Sequence, residues 1–496
     1  MTGSPAFLAI DLGAGSGRLI LGTLHHKRLE LSEIHRFLNR PVRLPDGLHW
    51  DAMQLWSEIK TGIAQTTHGG DNLVAVGLDT WGVDFALLDR HGSLIGNPFH
   101  YRDDRTQGIL AEAFSRVPRE RLFGITGNQF MAINTLYQLL AMVLKRSPQL
   151  EIAHTLLMMP DLFNYWLTGQ AASEFSIATT TQCHNPYTGD WAWPLIGEMG
   201  IPIHIFPRIL MPGTQLGLLS SGLAREFGIA PMAVVAPACH DTASAVAAIP
   251  AETADFAWIS SGTWSILGTN MQHAILSPEA LRYDFTNEGG VSGTWRLSRN
   301  ITGLWIEQEC RRAWAGQGEE SSHEELTRLA TAAEAFTAFV DVDADEFSKP
   351  GEMPEKIRAY CRQTHQRIPE TQGAIVRCAL ESLALKYRSV LERLEEVSGR
   401  RLDTVHIVGG GSRNRLLDQF TANATHRLCV AGPVEATAIG NILMQAVALG
   451  WLGSLSESRS VVRKSFAFDI YEPQEQAAWD QAYGRFLKVT DGALIG

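Results

Sequence analysis

The chain has 496 residues, 45% of them apolar and 19% charged, and its formal net charge at pH 7 is −11. Because a single hydrophobic core rarely serves so long a chain, at least two domains of ordinary globular composition are expected. The acidic balance, without long Lys/Arg runs or an apolar stretch long enough to span a bilayer, argues against nucleic acid and membranes as partners.

The first predicted elements are two short strands that flank a glycine-rich turn. Residues 7–10 and 18–24 are rich in apolar side chains, and residues 11–17 between them are Asp-Leu-Gly-Ala-Gly-Ser-Gly. The apolar run at 7–10 is too short for the core of a signal peptide, and no basic segment precedes it. A cytoplasmic location is therefore expected by default.

This turn is suited to anion binding. Gly13, Gly15 and Gly17 lack a Cβ, so consecutive backbone amides can approach a phosphate, and Ser16 adds a hydroxyl donor. An ordinary hairpin turn remains the alternative. A Rossmann site requires a helix after the glycines and a P-loop requires a lysine after a glycine, and this chain has neither pattern here.

Asp11 stands immediately before the glycine turn. A carboxylate beside a phosphate would repel it unless a cation intervened, so Mg²⁺ is the natural bridge between them. The alternative is an aspartate that caps the turn.

Two further junctions place polar residues at the ends of predicted strands. Residues 74–78 predict a strand that leads into Asp-Thr-Trp-Gly-Val-Asp at 79–84, and Asp241 follows the apolar run at 234–239. Open α/β sheets hold ligands at the carboxyl ends of their strands, so Asp241 is suited to accept the proton of an attacking hydroxyl. Because a helix-like segment starts at Thr242, a helix N-cap is the alternative for Asp241.

A second strand–turn–strand unit begins near the middle of the chain. Residues 256–259 and 264–267 are strand-like, and Ser-Ser-Gly-Thr at 260–263 separates them. The two hairpins lie about half the chain apart, which indicates two related halves of an α/β protein. We place the boundary near residue 249, giving domains 1–249 and 250–496.

The clearest predicted helix covers residues 372–397, where apolar residues recur at spacings of three and four. Residues 405–408 predict a strand that leads into three glycines at 409–411 and then a helix opening at Arg415. Such glycines allow an adenine ring to approach the backbone, although they also serve as plain loops. After Leu455 we expect a short connector and a terminal helix.

The cysteines and tryptophans carry weaker signals. The six cysteines lack disulfide or zinc spacing and are expected to be reduced and mostly buried; a bridge between Cys361 and Cys378 is possible but not indicated by their spacing. Trp81, Trp264 and Trp305 flank glycine turns, where they could line a sugar pocket, but ordinary core packing is the more common role of tryptophan.

Taken in order, these motifs resemble the FGGY carbohydrate kinases over nearly the whole chain. The resemblance is carried by residues 11–18, 79–85, 101–106, 178–182, 240–246, 260–264, 287–290, 408–411 and 432–436. The most specific strings are Asp-Thr-Trp-Gly-Val-Asp-Phe, His-Asp-Thr-Ala-Ser-Ala-Val and Gly-Pro-Val-Glu-Ala. Within the family they are most similar to members that act on L-rhamnulose.

The resemblance implies two actin-like (ribonuclease-H-like) domains with mixed sheets and a ligand cleft between them. The first domain would bind the sugar and the second would bind ATP. It implies that Asp241 is the catalytic base and that Asp11 helps to hold Mg²⁺. The implied sugar-site residues are Ala14, Gly15, Ser16, Gly17, Arg18, Gly82, His240, Asp241, Thr242 and Asn300, and the implied ATP contacts are Thr263, Gln308 and Gly410.

The implied reaction transfers the γ-phosphoryl group of MgATP to the primary 1-hydroxyl of a ketose, with L-rhamnulose expected. L-Fuculose or a pentulose is the first alternative, since residue identities do not reveal the stereochemistry of sugar hydroxyls. The second alternative is an actin-like nucleotide-dependent assembly or sensor protein, because the same fold and hairpins would serve it. A strand-end base at Asp241 favours the kinase.

Overall fold

The computed structural model describes residues 4–67 and 72–491. Its strands are β1 (Ala6–Leu12), β2 (Ser16–His25), β3 (Arg28–Leu38), β4 (Val42–Leu44), β5 (Gly47–His49), β6 (Leu73–Thr80), β7 (Phe85–Leu88), β8 (Thr155–Met158), β9 (Ser173–Glu174), β10 (His184–Asn185), β11 (Asp190–Trp191), β12 (Ile209–Leu210), β13 (Thr214–Leu218), β14 (Ala233–Ala236), β15 (Phe256–Ser261), β16 (Trp264–Met271), β17 (Thr286–Gly289), β18 (Trp295–Thr302), β19 (Thr404–Val408), β20 (Leu428–Ala431) and β21 (Asp469–Tyr471).

The helices alternate with these strands along the chain. They are α1 (Ala52–Thr67), α2 (Ile109–Arg116), α3 (Arg119–Thr126), α4 (Thr135–Leu144), α5 (Pro148–Ile152), α6 (Met159–Thr168), α7 (Phe175–Ala178), α8 (Trp193–Glu198), α9 (Ser221–Phe227), α10 (Asp241–Ala247), α11 (Pro278–Arg282), α12 (Trp305–Gly316), α13 (His323–Ala332), α14 (Asp345–Ser348), α15 (Met353–Gln363), α16 (Gln372–Ser398), α17 (Arg415–Thr425), α18 (Ala436–Ala448), α19 (Leu455–Ser465) and α20 (Gln476–Asp491).

The chain folds into two compact units. The first consists of Met1–Glu252, Asn270–Leu297 and Ala436–Phe466, and the second of Thr253–Thr269, Ser298–Glu435 and Ala467–Gly496. The first segment of the first unit ends close to the expected boundary at residue 249, and two later segments group with it. The boundary between functional domains stays a prediction.

Within the described part of the first unit, the main sheet has six strands in the order β13-β14-β6-β1-β2-β3. The sheet is mixed: β1 pairs with β2 in antiparallel and with β6 in parallel orientation. All seven residues of β1 are buried, as expected for a strand that is covered on both faces.

The two faces of this sheet have different partners. Leu8 and Val76 belong to an apolar cluster with Ile59 of α1 and Phe163 of α6. The alternate residues of β1 and β6 point to the opposite face of the sheet and face α18. Gly77 is one of them, and a Cβ there would lie 2.6 Å from an Asn441 side-chain oxygen. Asp11 near the end of β1 and Asp79 near the end of β6 therefore fall on the α18 side.

Within the described residues, the second main sheet has seven strands in the order β17-β18-β16-β15-β19-β20-β21. It is also mixed, because β15 pairs antiparallel with β16 and parallel with β19. Beside it, α16 begins after Thr371, whose side chain accepts a hydrogen bond from Ala374 N–H, and ends at Gly399 in the left-handed region (φ 66°).

The predicted hairpins and the long helix are confirmed, but the expected connector after Leu455 is wrong. The chain there forms α19, a short strand and then the terminal helix α20. All six cysteines are free and buried, as expected. Every helix among the described residues is too short or too polar to cross a bilayer.

Candidate active site

The first glycine turn is a tight connection between β1 and β2. Gly13 N–H donates to Ser16 O at 2.9 Å, and Asn39 braces the turn with bonds to Gly15 O at 3.2 Å and Gly13 O at 2.9 Å. Gly15 is exposed and has open space where a Cβ would stand, whereas a Cβ on Gly17 would lie 2.2 Å from the Phe37 ring. Gly15 is thus open to a ligand, its neighbours Ala14 and Ser16 are partly buried, and Gly17 is required for packing.

Beyond the turn, charged residues stand side by side on three adjacent strands. Arg18 on β2 is the register partner of Asp11 on β1, which is in turn the partner of Asp79 on β6. Arg18 Nη2 lies 2.6 Å from Asp11 Oδ2. The residue expected to contact sugar and the residue expected to hold Mg²⁺ therefore form an ion pair with each other.

Asp79 is fully buried, and sequence reasoning assigned it no role. Its Oδ2 accepts a hydrogen bond from Asn441 Nδ2 of α18 at 2.6 Å, while its buried Oδ1 has no hydrogen-bond partner. Burial, and next the Asp11 carboxylate, raise the pKa of Asp79 well above its ordinary value. Burial and the neighbouring Asp11 carboxylate thus both disfavour a charge on Asp79 at this strand end.

A Mg²⁺ ion that accompanies ATP places modest demands on the protein. Such ions commonly bind one or two protein carboxylates together with phosphate and water oxygens. Within 4–67 and 72–491, no group of three or more His, Cys, Asp or Glu side chains is arranged to hold a metal by itself. The single carboxylate of Asp11 at a strand end suits a Mg²⁺ ion that takes its other ligands from ATP phosphates and water.

Asp241 is the first residue of α10 and follows the carboxyl end of β14. Its Oδ1 accepts hydrogen bonds from Thr242 N–H at 2.5 Å and from Thr242 Oγ1 at 3.0 Å, and it lies 3.4 Å from His240 Nε2. The N-cap position is occupied by His240, so the N-cap interpretation of Asp241 is wrong. The predicted neighbours His240 and Thr242 contact the same carboxylate oxygen.

Two buried side chains, those of Glu174 and Ser176, hold the backbone before Asp241. Glu174 Oε2 accepts from Cys239 N–H at 3.0 Å and from Ser176 Oγ at 2.5 Å, and Ser176 Oγ accepts from His240 N–H at 3.1 Å. Sequence reasoning missed Glu174 and Ser176, because an isolated glutamate gives no sign that the fold will bury it. These hydrogen bonds fix the position of the backbone at the start of α10.

Gly82 begins a strained turn at the end of β6. The next residue, Val83, has φ 66°, a costly conformation for a β-branched residue. Val83 N–H donates to Thr180 Oγ1 at 3.1 Å, and Val83 O accepts from Thr135 Oγ1 at 2.6 Å. The motif at 178–182 thus helps to shape the turn that carries Gly82.

Asp84 closes the same turn and organises an aromatic cluster. Its Oδ2 accepts from Trp50 Nε1 at 2.6 Å, Trp81 Nε1 at 3.0 Å and Tyr101 N–H at 3.2 Å, and its Oδ1 accepts from Gln138 Nε2 at 2.9 Å. The Trp50 and Trp81 rings are 4.1 Å apart. Core packing therefore describes Trp81 correctly.

The other two flanking tryptophans are less enclosed. Trp264 is 39% exposed, so core packing is the wrong interpretation for this residue. Trp305 is half-buried, and its Nε1 donates to Phe347 O at 3.0 Å.

In the second unit, the hairpin tip is tied to the start of α12. Thr263 Oγ1 donates to Gln308 Oε1 at 3.1 Å, and the Thr263 carbonyl accepts from Trp305 N–H at 3.1 Å. The structure thus brings together two of the three predicted ATP contacts.

Gly410, the third predicted ATP contact, lies just beyond β19, the parallel neighbour of β15. Cβ atoms on Gly409 and Gly411 would lie 3.0 Å and 2.0 Å from atoms of Ser261, whereas Gly410 has open space. The outer glycines allow close packing on β15, and the central one is left accessible.

Asn300, the remaining predicted sugar contact, is on β18 beside a group of buried and partly buried charges. Lys386 Nζ lies 2.9 Å from Asp341 Oδ1 and 3.0 Å from Asp343 Oδ2, and Arg299 lies 3.6 Å from Asp343. Asp343 Oδ1 also accepts from Thr302 N–H at 2.9 Å. Sequence reasoning missed this group because its members come from separate elements.

Comparison with known protein families matches both halves of the chain. Residues 6–248 match the FGGY family of carbohydrate kinases, N-terminal domain, and residues 257–449 match the C-terminal domain of the same family.

Similar proteins span nearly the whole chain. A rhamnulokinase of Bacteroides thetaiotaomicron is 43% identical over 97% of this chain and 98% of that protein. A rhamnulokinase of Oceanobacillus iheyensis is 39% identical over 94% of this chain and 97% of that protein.

Solved structures share the fold at low sequence identity. A gluconate kinase from Lactobacillus acidophilus has a TM-score of 0.83 and 16% identity over 99% of this chain and 98% of that chain. A xylulose kinase from the same organism has a TM-score of 0.82 and 15% identity over 98% of both chains. The expected two-domain α/β class with mixed sheets is confirmed, and the chain belongs to the FGGY family of carbohydrate kinases.

Proposed function

We propose that this chain transfers the γ-phosphoryl group of ATP to the 1-hydroxyl of L-rhamnulose, a step of rhamnose breakdown. The observation that carries the proposal is the position of Asp241, a partly exposed carboxylate at the junction of β14 and α10. The choice of sugar is supported by rhamnulokinases that are 43% and 39% identical along almost the full chain.

Asp241 acts as the general base. Its Oδ1 is occupied by Thr242 and faces His240, so the carboxylate is held in one orientation. It accepts the proton of the 1-hydroxyl as that oxygen attacks phosphorus, and a base in this role typically contributes about 10²–10⁴-fold to the rate.

The remaining roles divide between the two units. The first turn, Ala14 to Ser16, and Gly82 contact the ketose, and Asn300 adds a polar side chain. Thr263 and Gln308 contact ATP at the hairpin tip, and Gly410 leaves room for the adenosine. Because phosphoryl transition states are loose, positioning and charge neutralisation supply most of the acceleration.

Arg18 and Asp11 act as a pair beside the transferred group. Arg18 neutralises Asp11 in the free protein and provides a donor to a sugar hydroxyl or phosphate oxygen. Mg²⁺, when bound with ATP, neutralises phosphate charge, and Asp11 is the residue that would hold it, directly or through water.

The two alternatives differ in how they meet these observations. A kinase for L-fuculose or a pentulose would use the same base and turns, so only the sugar distinguishes it. The nucleotide-dependent assembly protein is not favoured, because it has no need of a strand-end base and the matches above are to carbohydrate kinases.

A panel of ketoses tests the proposal. ADP release is measured with L-rhamnulose, L-fuculose, L-ribulose and D-xylulose, and carbon–phosphorus coupling in the NMR spectrum of the product locates the phosphate. The expected result is the highest kcat/KM on L-rhamnulose with phosphate on O1. Comparable values on several sugars would reject the rhamnulose assignment, and no sugar-stimulated ADP release would reject the kinase.

The base role is tested by Asp241→Asn, with the exposed Asp403→Asn as matched control. The first variant is expected to bind both substrates and to lose about 10²–10⁴-fold in kcat, while the second keeps its activity. Near-normal turnover by Asp241→Asn would remove Asp241 from this role.

A further inference from the structure

A buried ion pair lies behind the proposed base. Arg296 of β18 is 0% exposed, and its Nη2 lies 3.0 Å from Oε2 of Glu288 on β17. Arg296 Nε–H also donates to Gly289 O at 2.9 Å. Burial raises the pKa of Glu288 while the Arg296 charge lowers it, and the net pKa is below the ordinary value, so both partners are charged.

The same guanidinium reaches the histidine next to the base. Arg296 Nη2 lies 2.9 Å from His240 Nδ1. A guanidinium has five N–H donors and no acceptor, so at this distance Nδ1 must be the accepting, unprotonated nitrogen. The proton of the neutral imidazole is therefore on Nε2.

The tautomer matters because of what Nε2 faces. His240 Nε2 is 3.4 Å from Asp241 Oδ1, so a proton on Nε2 stands next to that carboxylate oxygen, whereas a lone pair there would repel it. Thr242 donates to the same oxygen through its N–H and its hydroxyl. Among the described residues, the hydrogen bonds of Asp241 fall on Oδ1, and its other oxygen is left to face a substrate hydroxyl.

We propose that Arg296 and Glu288 are positioning residues for the base. Glu288 holds Arg296 in place, Arg296 fixes His240 as the Nε2–H tautomer, and His240 then holds Oδ1 of Asp241 so that Oδ2 receives the proton. This deepens the proposed kinase function and rests on Asp241 being its base. It also gives a role to the Asn-Glu-Gly-Gly motif at 287–290, which the sequence comparison with the family left without one.

Removing the arginine alone has a definite consequence for the histidine. Glu288 Oε2 lies 3.4 Å from His240 Nδ1. In Arg296→Met this carboxylate loses its cation and becomes the acceptor nearest to Nδ1, which favours a proton on Nδ1. Neutral His240 would then turn a lone pair toward Asp241 and repel it.

The tautomer is read by ¹⁵N NMR of the imidazole nitrogens, with the His240 signals identified by their loss in His240→Asn. The wild-type protein is expected to show protonated Nε2 and unprotonated Nδ1, and Arg296→Met is expected to show protonated Nδ1. Wild-type His240 with a protonated Nδ1 would overturn the proposal, and this measurement requires neither a stable Arg296 variant nor any substrate.

Kinetics provide the second readout, with the ketose that gives the highest kcat/KM. Arg296→Met is expected to lower kcat by at least about tenfold, within the 10²–10⁴ that a general base contributes, and to leave the KM for ATP nearly unchanged. Arg296→Lys keeps a donor and is expected to retain more of the activity. An Arg296→Met protein that folds, keeps the wild-type tautomer and keeps wild-type kcat would overturn the proposal.

Arg427→Met is the matched control, because it removes a partly buried arginine that is paired with Glu395 in the second unit at 2.9 Å. It is expected to lower stability without changing the His240 signals. If it lowers kcat as much as Arg296→Met does, the effect is general destabilisation and the positioning role is rejected. If another ketose proves to be the substrate, the tautomer result still stands. Failure of the rhamnulose assignment can therefore be distinguished from failure of the positioning role.

Discussion

Gly440 of α18 approaches Ser244 of α10 so closely that a Cβ on residue 440 would lie 1.8 Å from the Ser244 carbonyl oxygen. Glycine inside a helix costs about 1 kcal/mol relative to alanine, so its presence here indicates a packing requirement. Since α10 begins with Asp241, the contact helps to set the position of the proposed base.

Gly440→Ala is therefore expected to displace α10. We expect a loss of about 1–3 kcal/mol of stability by urea unfolding, and a shift on the order of 1 Å at the base would lower kcat by up to about 10²-fold. Gly484→Ala is the control, because Gly484 lies in α20 with open space around it and should gain about 0.5–1 kcal/mol. Equal stability and kcat for both variants would show that the contact does not position α10.

Features of this structure that depend on residues close together in the chain could be predicted from the sequence, and features that depend on distant residues could not. The two hairpins, the helix Gln372–Ser398 and the strand-end position of Asp241 follow from patterns within a few residues. A glycine that close packing requires, such as Gly17 under Phe37, also belongs to a glycine-rich motif that the sequence shows directly.

The groups that support the base could not be predicted in this way. Glu174, Glu288 and Arg296 lie far from Asp241 along the chain, and only the folding of the chain brings them near it. The prediction for Trp264 is also wrong. Tryptophan is usually packed in the core, but at the hairpin tip this side chain is exposed. Burial and charge pairing are properties of the folded chain, and no short window of sequence contains them.

Asp84 is expected to be essential for the turn that carries Gly82. Burial raises its pKa to about 6, so near pH 7 its carboxylate is mainly ionised and faces four N–H donors. Asp84→Asn would place an amide NH₂ against some of these donors, which costs about 2–4 kcal/mol. Thermal unfolding and kcat/KM for the ketose should both fall.

Asp89→Asn provides the control for this experiment. Asp89 Oδ1 accepts two backbone N–H bonds, from His91 at 2.8 Å and Ser93 at 2.9 Å, but it does so on an exposed turn. Its replacement should change stability and kcat/KM little. Similar effects of the two substitutions would contradict the role assigned to the buried Asp84 cluster.

Gln308 is expected to affect ATP rather than the sugar. Its contact with Thr263 joins α12 to the hairpin tip of the second unit. Gln308→Ala should raise the KM for ATP by about tenfold, equivalent to about 1.4 kcal/mol, and change the KM for the ketose little. Gln317→Ala, an exposed glutamine just beyond the same helix, should change neither value. A selective rise in the ketose KM would place Gln308 on the sugar side instead.

The carboxyl of Asp418 in α17 should make stability depend on pH. It is 1% exposed, neither of its buried oxygens has a hydrogen-bond partner, and burial followed by the Asp469 charge raises its pKa to about 8. The unfolded chain releases this proton near pH 3.9, so between about pH 4 and 8 the folded state binds more protons than the unfolded state. Stability contributed by this group is complete below about pH 4 and is lost as pH rises through 8, by at most about 1.4 kcal/mol per pH unit.

Asp418→Asn cannot ionise, so its advantage over the wild type should grow as pH rises. Urea unfolding of both proteins at about pH 5, 6.5 and 8 measures this difference, and Asp403→Asn, an exposed aspartate, provides the control. The packing cost of the amide is the same at every pH, so it shifts the variant's curve without changing the slope of the difference. Parallel stability curves for Asp418→Asn and the wild type would therefore show that Asp418 ionises normally in the folded protein.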